Sequence, residues 1–438
     1  MEPVRIGLLG LGTVGSGTVN VLARNREEIT RRAGRAIEVV HACARDLGKP
    51  RNCSLDGITI SDEPTAVVDD PQVTIVVELL GGTELARELT FRAIEAGKHV
   101  VTANKALIAL HGNEIFAAAR NRGVMVAFEA AVAGGIPIIK AIREGLAGNR
   151  IEWVAGIING TGNFILTEMR DKGRDFDEAL ADAQRLGYAE ADPSFDVQGI
   201  DAAHKLAILA AIAFGKPLAF DKVYTEGIAQ ISAEDVQHAA DLGYRIKHLG
   251  IARRTLEGVE LRVHPTLIPE RRLIANVNGV MNALLVKADA VGPTLYYGAG
   301  AGAEPTASAV VADLVDVVRT LTTDPDHRVP HLAFQPDAIS NLPMLSIDDA
   351  ETAYYLRMLA DDRPGVLAEV ATILGNAGIS IEAVVQPEPP RGAAQAKLIM
   401  LSHRVRERQM NIALRQIEAL ESISGKVTRI RVEQLDGD

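Results

Sequence analysis

The sequence predicts an α/β chain in three parts: a doubly wound parallel sheet, an α+β unit with an open sheet, and a small C-terminal unit of β-α-β-β-α-β order. Three observations predict it. Short apolar runs without alternation, Val4 to Leu9, Thr74 to Leu80 and His99 to Thr102, are separated by helical patterns, as in a parallel sheet buried on both faces. Longer strand-like runs, Tyr224 to Ile228, Gly250 to Val263 and Ala275 to Val291, then follow a strongly apolar helix that ends at Phe214. From Thr352 the chain reads strand, helix, strand, strand, helix, strand over about 80 residues.

A chain of 438 residues has the length for two or three domains, each with an ample core. Its composition, 47% hydrophobic and 24% charged, is that of a globular enzyme. The net charge of −11 argues against nucleic acid or an anionic membrane as partner. Two cysteines, Cys43 and Cys53, are too few for a disulfide framework and fit a reducing cytoplasm. The opening MEPVRIGLLGLG reads as a strand rather than a signal peptide, and the longest apolar run, Leu206 to Gly215, is about half a bilayer span.

The first strand leads into Gly10-Leu11-Gly12-Thr13-Val14-Gly15 and then a helical pattern through Val19, Leu22 and Ile29. Between a strand and a helix, this spacing is the dinucleotide fingerprint: the glycines allow a tight turn and let a pyrophosphate approach the helix N-terminus. The second strand, Ile37 to Ala44, ends at Arg45 where an acidic residue commonly holds the ribose of NAD. An arginine there suits a 2′-phosphate and favours NADP, while Asp46 leaves NAD open. The remaining strands are expected at Thr74 to Leu80, His99 to Thr102 and Val124 to Glu129, with helices Leu85 to Ala96 and Asn113 to Asn121. Ligands of such sheets bind beyond the carboxyl ends of the strands, where Leu80-Gly81-Gly82 and Thr102-Ala103-Asn104-Lys105 fall. Lys105 is placed for a role near the nicotinamide.

The stretch Glu129 to Lys140, EAAVAGGIPIIK, has two readings that stand level on its residues alone. It is a packed crossover between domains, or its carbonyls and the Glu129 carboxylate wrap a hard cation. A strand from Trp153 ends in Asn159-Gly160-Thr161-Gly162-Asn163-Phe164, a polar turn leading to a helix.

The most unusual stretch is GYAEADPSFDVQGIDAAHK, Gly187 to Lys205. Asp196 is expected to cap a helix whose buried stripe includes Ile200, His204 and Leu206 to Phe214. Asp201 and Lys205 stand four apart on one face of it. Such pairs are most often solvated and contribute a few tenths of a kcal/mol, roughly. Here LAILAAIAF follows at once, so partial desolvation of the lysine is expected, which lowers a lysine pKa toward a range where it trades protons. Glu190, Asp192 and Asp196 crowd the approach, as a site for a substrate ammonium group requires. Gly298 to Thr306 forms a second glycine-rich turn before a helix from Ala307 to Leu321 that returns to the cofactor domain, and proline-rich residues 322 to 350 read as a linker. In the C-terminal unit, Asp361-Asp362-Arg363-Pro364-Gly365 opens a helix ended at Gly378, and its short turn suits a small anionic or zwitterionic ligand or serves only to pair subunits.

These residues together resemble the homoserine dehydrogenases that carry a C-terminal ACT domain. The pieces that carry the resemblance are GLGTVG, ELLGG from Glu78, TANK from Thr102, EAAVAGGIPI from Glu129, NGTGN from Asn159, the Gly187 stretch, GAGAGAEPTASAVVADL from Gly298 and DRPGVLAEVATILGNAGISI from Asp361. Gly162 departs from the family, which more often has threonine or cysteine there. The resemblance implies a Rossmann-type domain over 1–135 completed by the helix of 303–321, a substrate and dimerisation domain over 136–302, a linker over 322–350 and a ferredoxin-like ACT domain over 351–435. It implies that Lys205 is the general acid/base, with Lys105 near nicotinamide and substrate. Glu190, Asp201, Asp196 and Tyr188 would bind the substrate. Gly10, Gly12, Thr13, Val14, Gly15, Arg45, Thr102, Gly187 and Gly302 would line the NADP (or NAD) site. Glu129 with the carbonyls of Val132, Gly134 and Ile136 would hold Na⁺ or K⁺, which decides that stretch for the ion. L-homoserine and L-aspartate 4-semialdehyde would be the substrates, L-threonine the ACT effector, and a homodimer or homotetramer the assembly.

Two other functions compete. A semialdehyde dehydrogenase needs a thiolate near the reacting carbon, and Cys43 and Cys53 lie near the second strand, away from the substrate segment. An amino-acid sensor with a degenerate dehydrogenase portion predicts losses at Lys205, Asp201 or the glycine fingerprint, all of which are present.

Overall fold

The computed structural model describes residues 2–389 and 393–435, which divide into two compact units. The first comprises residues 2–160, 201–223 and 280–341; the second comprises 161–200, 224–279, 342–389 and 393–435.

The first unit is built on six parallel strands, β1 (Val4–Leu9), β2 (Ile37–Cys43), β3 (Thr59–Ser61), β4 (Ile75–Glu78), β5 (His99–Thr102) and β6 (Val126–Ala127). Their order is β3-β2-β1-β4-β5-β6, so the chain reverses direction across the sheet beside β1. The central strands are buried on both faces, which accounts for their unalternating apolar sequence. The helix Ala303–Thr320 packs Ala307, Val310, Leu314 and Val317 into the same core as Val19, Leu22 and the strand residues Ile6 and Leu8. It begins four residues earlier than the sequence suggests, because Gly302 at φ 130° makes the turn and Ala303 already belongs to the first turn. Strands Ile151–Ile157, Met281–Ala288 and Gly292–Ala299 form an antiparallel set in this unit.

Of residues 322–350, expected as a linker, 322–341 are strapped to the first unit. Ser340 N–H donates to Gly215 O at 2.7 Å, Lys216 Nζ donates to Ser340 O at 2.7 Å, and the His331 ring stacks on Phe116 with centroids 4.8 Å apart.

In the second unit, Tyr244–Arg254 and Val259–Pro269 pair antiparallel, and Val259–Pro269 then pairs in parallel with Ile423–Val432. That last strand pairs with Glu351–Asp361, which pairs with Gln395–Ser402, then Ile381–Val385. With helices Val366–Asn376 and Glu407–Glu418 on one face, these four strands are a ferredoxin-like unit with its own core of Tyr354, Leu356, Val370, Met400 and Ile417. Tyr224–Thr225 is a strand of two residues only, although the next residue, Glu226, still donates its N–H to Val263 O at 2.8 Å.

Candidate active site

The helix Ile200–Phe214 is apolar on nearly every side and fully buried along its length from Asp201 on, so its two charged side chains must find partners inside the protein. They do so at the end of the strand Ile151–Ile157. Lys205 Nζ donates to Asp201 Oδ2 and to the carbonyl of Ile158, both at 2.7 Å. Asn159 Nδ2 donates to the same carboxylate oxygen at 2.9 Å, and Lys105 Nζ lies 3.0 Å from Oδ1. Asp201 is 4% exposed and Lys205 9%, so this is no solvated surface pair. Burial opposes ionisation of Asp201, yet the two ammonium groups and the hydrogen bonds of Lys205 and Asn159 hold its carboxyl well below the usual range. The arrangement keeps one anion between two lysines and fixes the direction of the Lys205 ammonium.

Lys105 reaches this cluster because it opens the helix Lys105–Arg122 directly after β5. Asn104 caps that helix, its Oδ1 accepting from Leu107 N–H at 3.0 Å, while its Nδ2 ties the start of the helix to Gly82 O at 2.6 Å. The Thr102 hydroxyl is fully buried and donates to Glu78 at 2.6 Å, so the side chain of Thr102 supports the strand ends and only its main chain is available to a ligand. Glu78 also accepts from Leu80 N–H at 2.9 Å, and burial pushes its carboxyl up. Sequence reasoning assigned no role to Glu78, Asn104 or Asn159 individually. The residue pattern offered a signal for Asn104 and Asn159, each an asparagine just ahead of a helix.

Of the cofactor candidates, Gly10, Gly12, Thr13, Val14 and Gly15 lie at the carboxyl end of β1. Gly10 takes φ 111°, closed to other residues, and a Cβ there would stand 2.9 Å from Leu79 O. At Gly12 an added Cβ would meet nothing within 4 Å among the described residues, the open approach a pyrophosphate needs. A Cβ at Gly15 would press to 2.1 Å from Gly10 O, so only glycine permits this packing. The helix Thr13–Arg24 has no acidic residue in its first turn, and its cap residue Gly12 has no side chain to occupy the first N–H groups of Thr13, Val14 and their neighbours. These residues fit a nicotinamide dinucleotide. Arg45 is exposed just beyond β2, and Asp46 beside it accepts from Gly48 N–H at 2.9 Å. Gly302 stands at the N-terminus of Ala303–Thr320.

Glu129 is 1% exposed and accepts from the N–H groups of Ile139 and Lys140 at 2.9 and 2.8 Å. Its own N–H donates to the buried Asp313 carboxylate at 2.8 Å. Burial pushes Glu129 up to about 7 against the pull of those main-chain donors, and Asp313, buried and beside Glu129, is also pushed up. Ala133 and Gly134 follow in the left-handed region, at φ 56° and 51°, turning the main chain sharply between Val132 and Ile136. The Ile136 carbonyl accepts from Ile138 N–H at 2.8 Å. Among the described residues no group of three or more His, Cys, Asp or Glu side chains is arranged for a metal. The buried Glu129 carboxylate and the main-chain carbonyls of this turn are the ligand types a hard cation takes.

Tyr188, Glu190, Asp196 and Gly187 belong to the second unit. Gly187 turns at φ 76° after the helix Phe176–Arg185. The Tyr188 carbonyl accepts from the Thr161 hydroxyl at 2.7 Å, and its ring tilts against Phe164 at 5.0 Å. Glu190 and Asp192 are exposed, and Asp192 accepts from Ser194 N–H at 3.0 Å. The expected cap at Asp196 is corrected. Pro193 opens a separate single turn, Ser194–Val197, inside which Asp196 sits, and Gly199 at φ 85° breaks the chain before the long helix begins at Ile200.

Cys43 is buried at the end of β2 with its thiol pushed up by burial, which disfavours the thiolate an aldehyde-oxidising enzyme needs, and Cys53 is half-buried. No helix among the described residues is long and apolar enough to cross a membrane.

Three family models match the chain. Residues 10–129 match the homoserine dehydrogenase NAD-binding domain, 137–315 homoserine dehydrogenase, and 354–422 the ACT domain. The homoserine dehydrogenase of Pseudomonas aeruginosa is 65% identical over 437 residues, covering 100% of both chains. That of Neisseria gonorrhoeae is 54% identical over 435 residues, 99% of this chain and 100% of the relative. The crystal structure of a homoserine dehydrogenase from Thiobacillus denitrificans superposes with TM-score 0.94 at 64% identity, covering 100% of this chain and 99% of its own. A hyperthermophilic archaeal homoserine dehydrogenase in complex with NADPH superposes with TM-score 0.62 at 27% identity over 73% of this chain and 98% of its own. A glycine fingerprint built for a dinucleotide, a buried lysine clamped by an aspartate and a terminal ACT module thus agree with relatives that span the whole length, and the chain belongs to the homoserine dehydrogenase family.

Proposed function

We propose that the homoserine dehydrogenase reaction of this chain, the NAD(P)-linked interconversion of L-homoserine and L-aspartate 4-semialdehyde, takes its proton through Lys205. The observation that carries this reading is the ammonium of Lys205, buried, aimed by Asp201 and the Ile158 carbonyl at 2.7 Å each. The nicotinamide, when bound, supplies or accepts the hydride. As the aldehyde carbon is reduced, charge develops on its oxygen, and a lysine held in one direction gives that oxygen a proton without reorganisation; in the oxidation of homoserine the proton travels back to Nζ. Lys105, on the other oxygen of Asp201, stabilises the developing negative charge. Asp201 would hold the substrate as well as the lysines. Glu190, Tyr188 and Asp196 would bind it from the segment after Gly187, Glu190 through the ammonium group.

In this reading Gly10 to Gly15, Arg45, the Thr102 main chain, Gly187 and Gly302 serve the dinucleotide. NADP is preferred over NAD because an exposed arginine ends β2. Na⁺ or K⁺ sits at Glu129 with the carbonyls of Val132, Gly134 and Ile136, supported by the raised proton affinity of Glu129 and Asp313. The ACT module answers to L-threonine and pairs subunits into a homodimer or homotetramer. A cavity of about 360 Å³ lined by Asp361, Arg363, Gly365 and Gln386, with both charges and exposed main chain, suits an amino acid. Threonine that changes neither activity nor oligomeric state would end this part of the reading.

The test is NADP- and NAD-linked oxidation of L-homoserine by the wild type and Lys205→Ala, with cofactor binding measured separately. Collapse of turnover by about 10²- to 10⁴-fold with cofactor still bound supports the proton role. Retained turnover refutes it.

A further inference from the structure

The C-terminal module contributes a side chain to the segment Tyr224–Glu226 of the second unit. Arg431, on the last strand Ile423–Val432, is fully buried. Its Nε and Nη2 donate to Glu407 at 2.9 and 2.5 Å, a two-pronged pair inside the module. Nη1 reaches Glu226 Oε2 at 2.8 Å, Nη2 reaches the Tyr224 hydroxyl at 3.2 Å, and the guanidinium lies 5.0 Å from the centre of the Tyr224 ring. The Tyr224 hydroxyl in turn donates to Glu226 Oε2 at 2.9 Å.

What Glu226 fixes is a short main-chain bracket. Its N–H donates to Val263 O at 2.8 Å, and its carbonyl accepts from the buried His248 Nε2 at 2.9 Å. Next to it, Gly227 lies so near the Val197–Gln198 main chain that an added Cβ would be 2.6 Å from Val197 O. The Ile228 N–H donates to that same carbonyl at 3.0 Å. Two residues on, a Cβ at Gly199 would stand 2.9 Å from the His248 ring and 3.1 Å from Thr225 and Val263. The bracket thus clamps the end of the segment that carries Tyr188, Glu190 and Asp196.

We propose that Arg431 is a positioning residue for substrate binding: through Glu226 it holds the 224–228 bracket against Val197 and Gly199, and so sets the substrate-binding segment from within the ACT module. The module's last strand is therefore part of the enzyme's working structure rather than a detachable sensor. An arginine suits this task because its charge is permanent and its fork spans two carboxylates at once. The proposal rests on the reading of Gly187 to Lys205 as the substrate segment.

The test is steady-state kinetics on Glu226→Gln and Arg431→Lys in the full-length enzyme, with NADP binding and Tm measured alongside. Glu226→Gln leaves the Arg431–Glu407 pair intact, so it remains decisive even if the arginine variant folds poorly. The expected result is a KM for L-homoserine raised about 3- to 30-fold in both variants, with NADP affinity unchanged and kcat little altered. A homoserine KM within about twofold of wild type in Glu226→Gln overturns the proposal. So does a parallel fall of kcat, NADP affinity and Tm, which marks general destabilisation. Full activity in Lys205→Ala would instead refute the reading of the segment itself, whatever Glu226→Gln does.

Discussion

Three buried ion clusters in this chain are built alike, one on lysine and two on arginine. In the first unit one carboxylate, Asp201, faces the ammonium groups of Lys205 and Lys105. In the second unit Glu407 faces the guanidinium groups of Arg431 and Arg429, and Glu433 those of Arg253 and Arg262. Burial opposes ionisation of Asp201, Glu407 and Glu433, and in each the cations prevail and lower the pKa, Glu433 to about 2. The difference lies in what the cation can give up. A lysine can pass a proton to a substrate; an arginine keeps its charge at any working pH. The cluster assigned to chemistry uses lysine, and the clusters that join the ACT module to its neighbouring strands use arginine.

The largest effect expected from this contrast is on stability. Arg431→Met leaves Glu407 buried beside fewer cations, and removal of one partner from a buried pair costs about 3–5 kcal/mol. Urea or thermal melting checks it, and a loss below about 1 kcal/mol would reduce the cluster to the worth of a surface pair.

Glu129 sharpens the comparison from the other side, as a buried carboxylate whose hydrogen-bond donors are main-chain N–H groups. Its folded pKa of about 7 lies above the ordinary 4.5, so the folded state holds the proton more tightly. The group costs no stability below about pH 4.5 and progressively more as pH rises through 7, reaching about 3 kcal/mol. A cation bound there offsets that cost. Added Na⁺ or K⁺ should raise Tm at pH 8 and scarcely at pH 5, relative to choline at equal ionic strength; equal shifts at both pH values would remove the cation from this site.

Asp201→Asn keeps the shape of the cluster and discards its anion. Lys205 then loses the partner that aims it, and kcat should fall about 10²-fold with NADP affinity intact, since small misplacements of a reacting group cost that much. The smallest effect concerns an exposed arginine of fixed charge. Arg45→Ala should raise the KM for NADP by roughly tenfold and leave that for NAD unchanged, as loss of a charge-assisted contact to a phosphate predicts.

Much of this architecture was legible in local pattern. The strand–GLGTVG–helix order is contained within two dozen residues, and the i, i+4 spacing of Asp201 and Lys205 with an apolar run behind it already implied a desolvated pair. Contacts between distant positions were not legible. Asn159 meets Asp201 across 42 residues and Glu78 meets Thr102 across 24, and neither partner is named by spacing. Arg431 reaches Glu226 across 205 residues, and in the sequence it is one arginine in an alternating strand. The Asp196 cap failed for a local reason: Pro193 and Gly199 split one expected helix start into two. Proline content marked 322–350 as a tether, whereas His331, Ser340 and their partners bind the part up to residue 341 down, because ring and main-chain contacts carry no signature in composition.

The most direct measurement is the pH profile of L-homoserine oxidation by Lys205→Arg beside wild type, with NADP binding confirmed by titration. The substitution retains the positive charge toward Asp201 and removes the ability to release a proton. If Lys205 moves the proton, turnover falls by about 10²-fold or more at every pH while NADP binds as before. If charge alone sufficed, Lys205→Arg would turn over homoserine at close to the wild-type rate, and lysine and arginine clusters would not differ in kind.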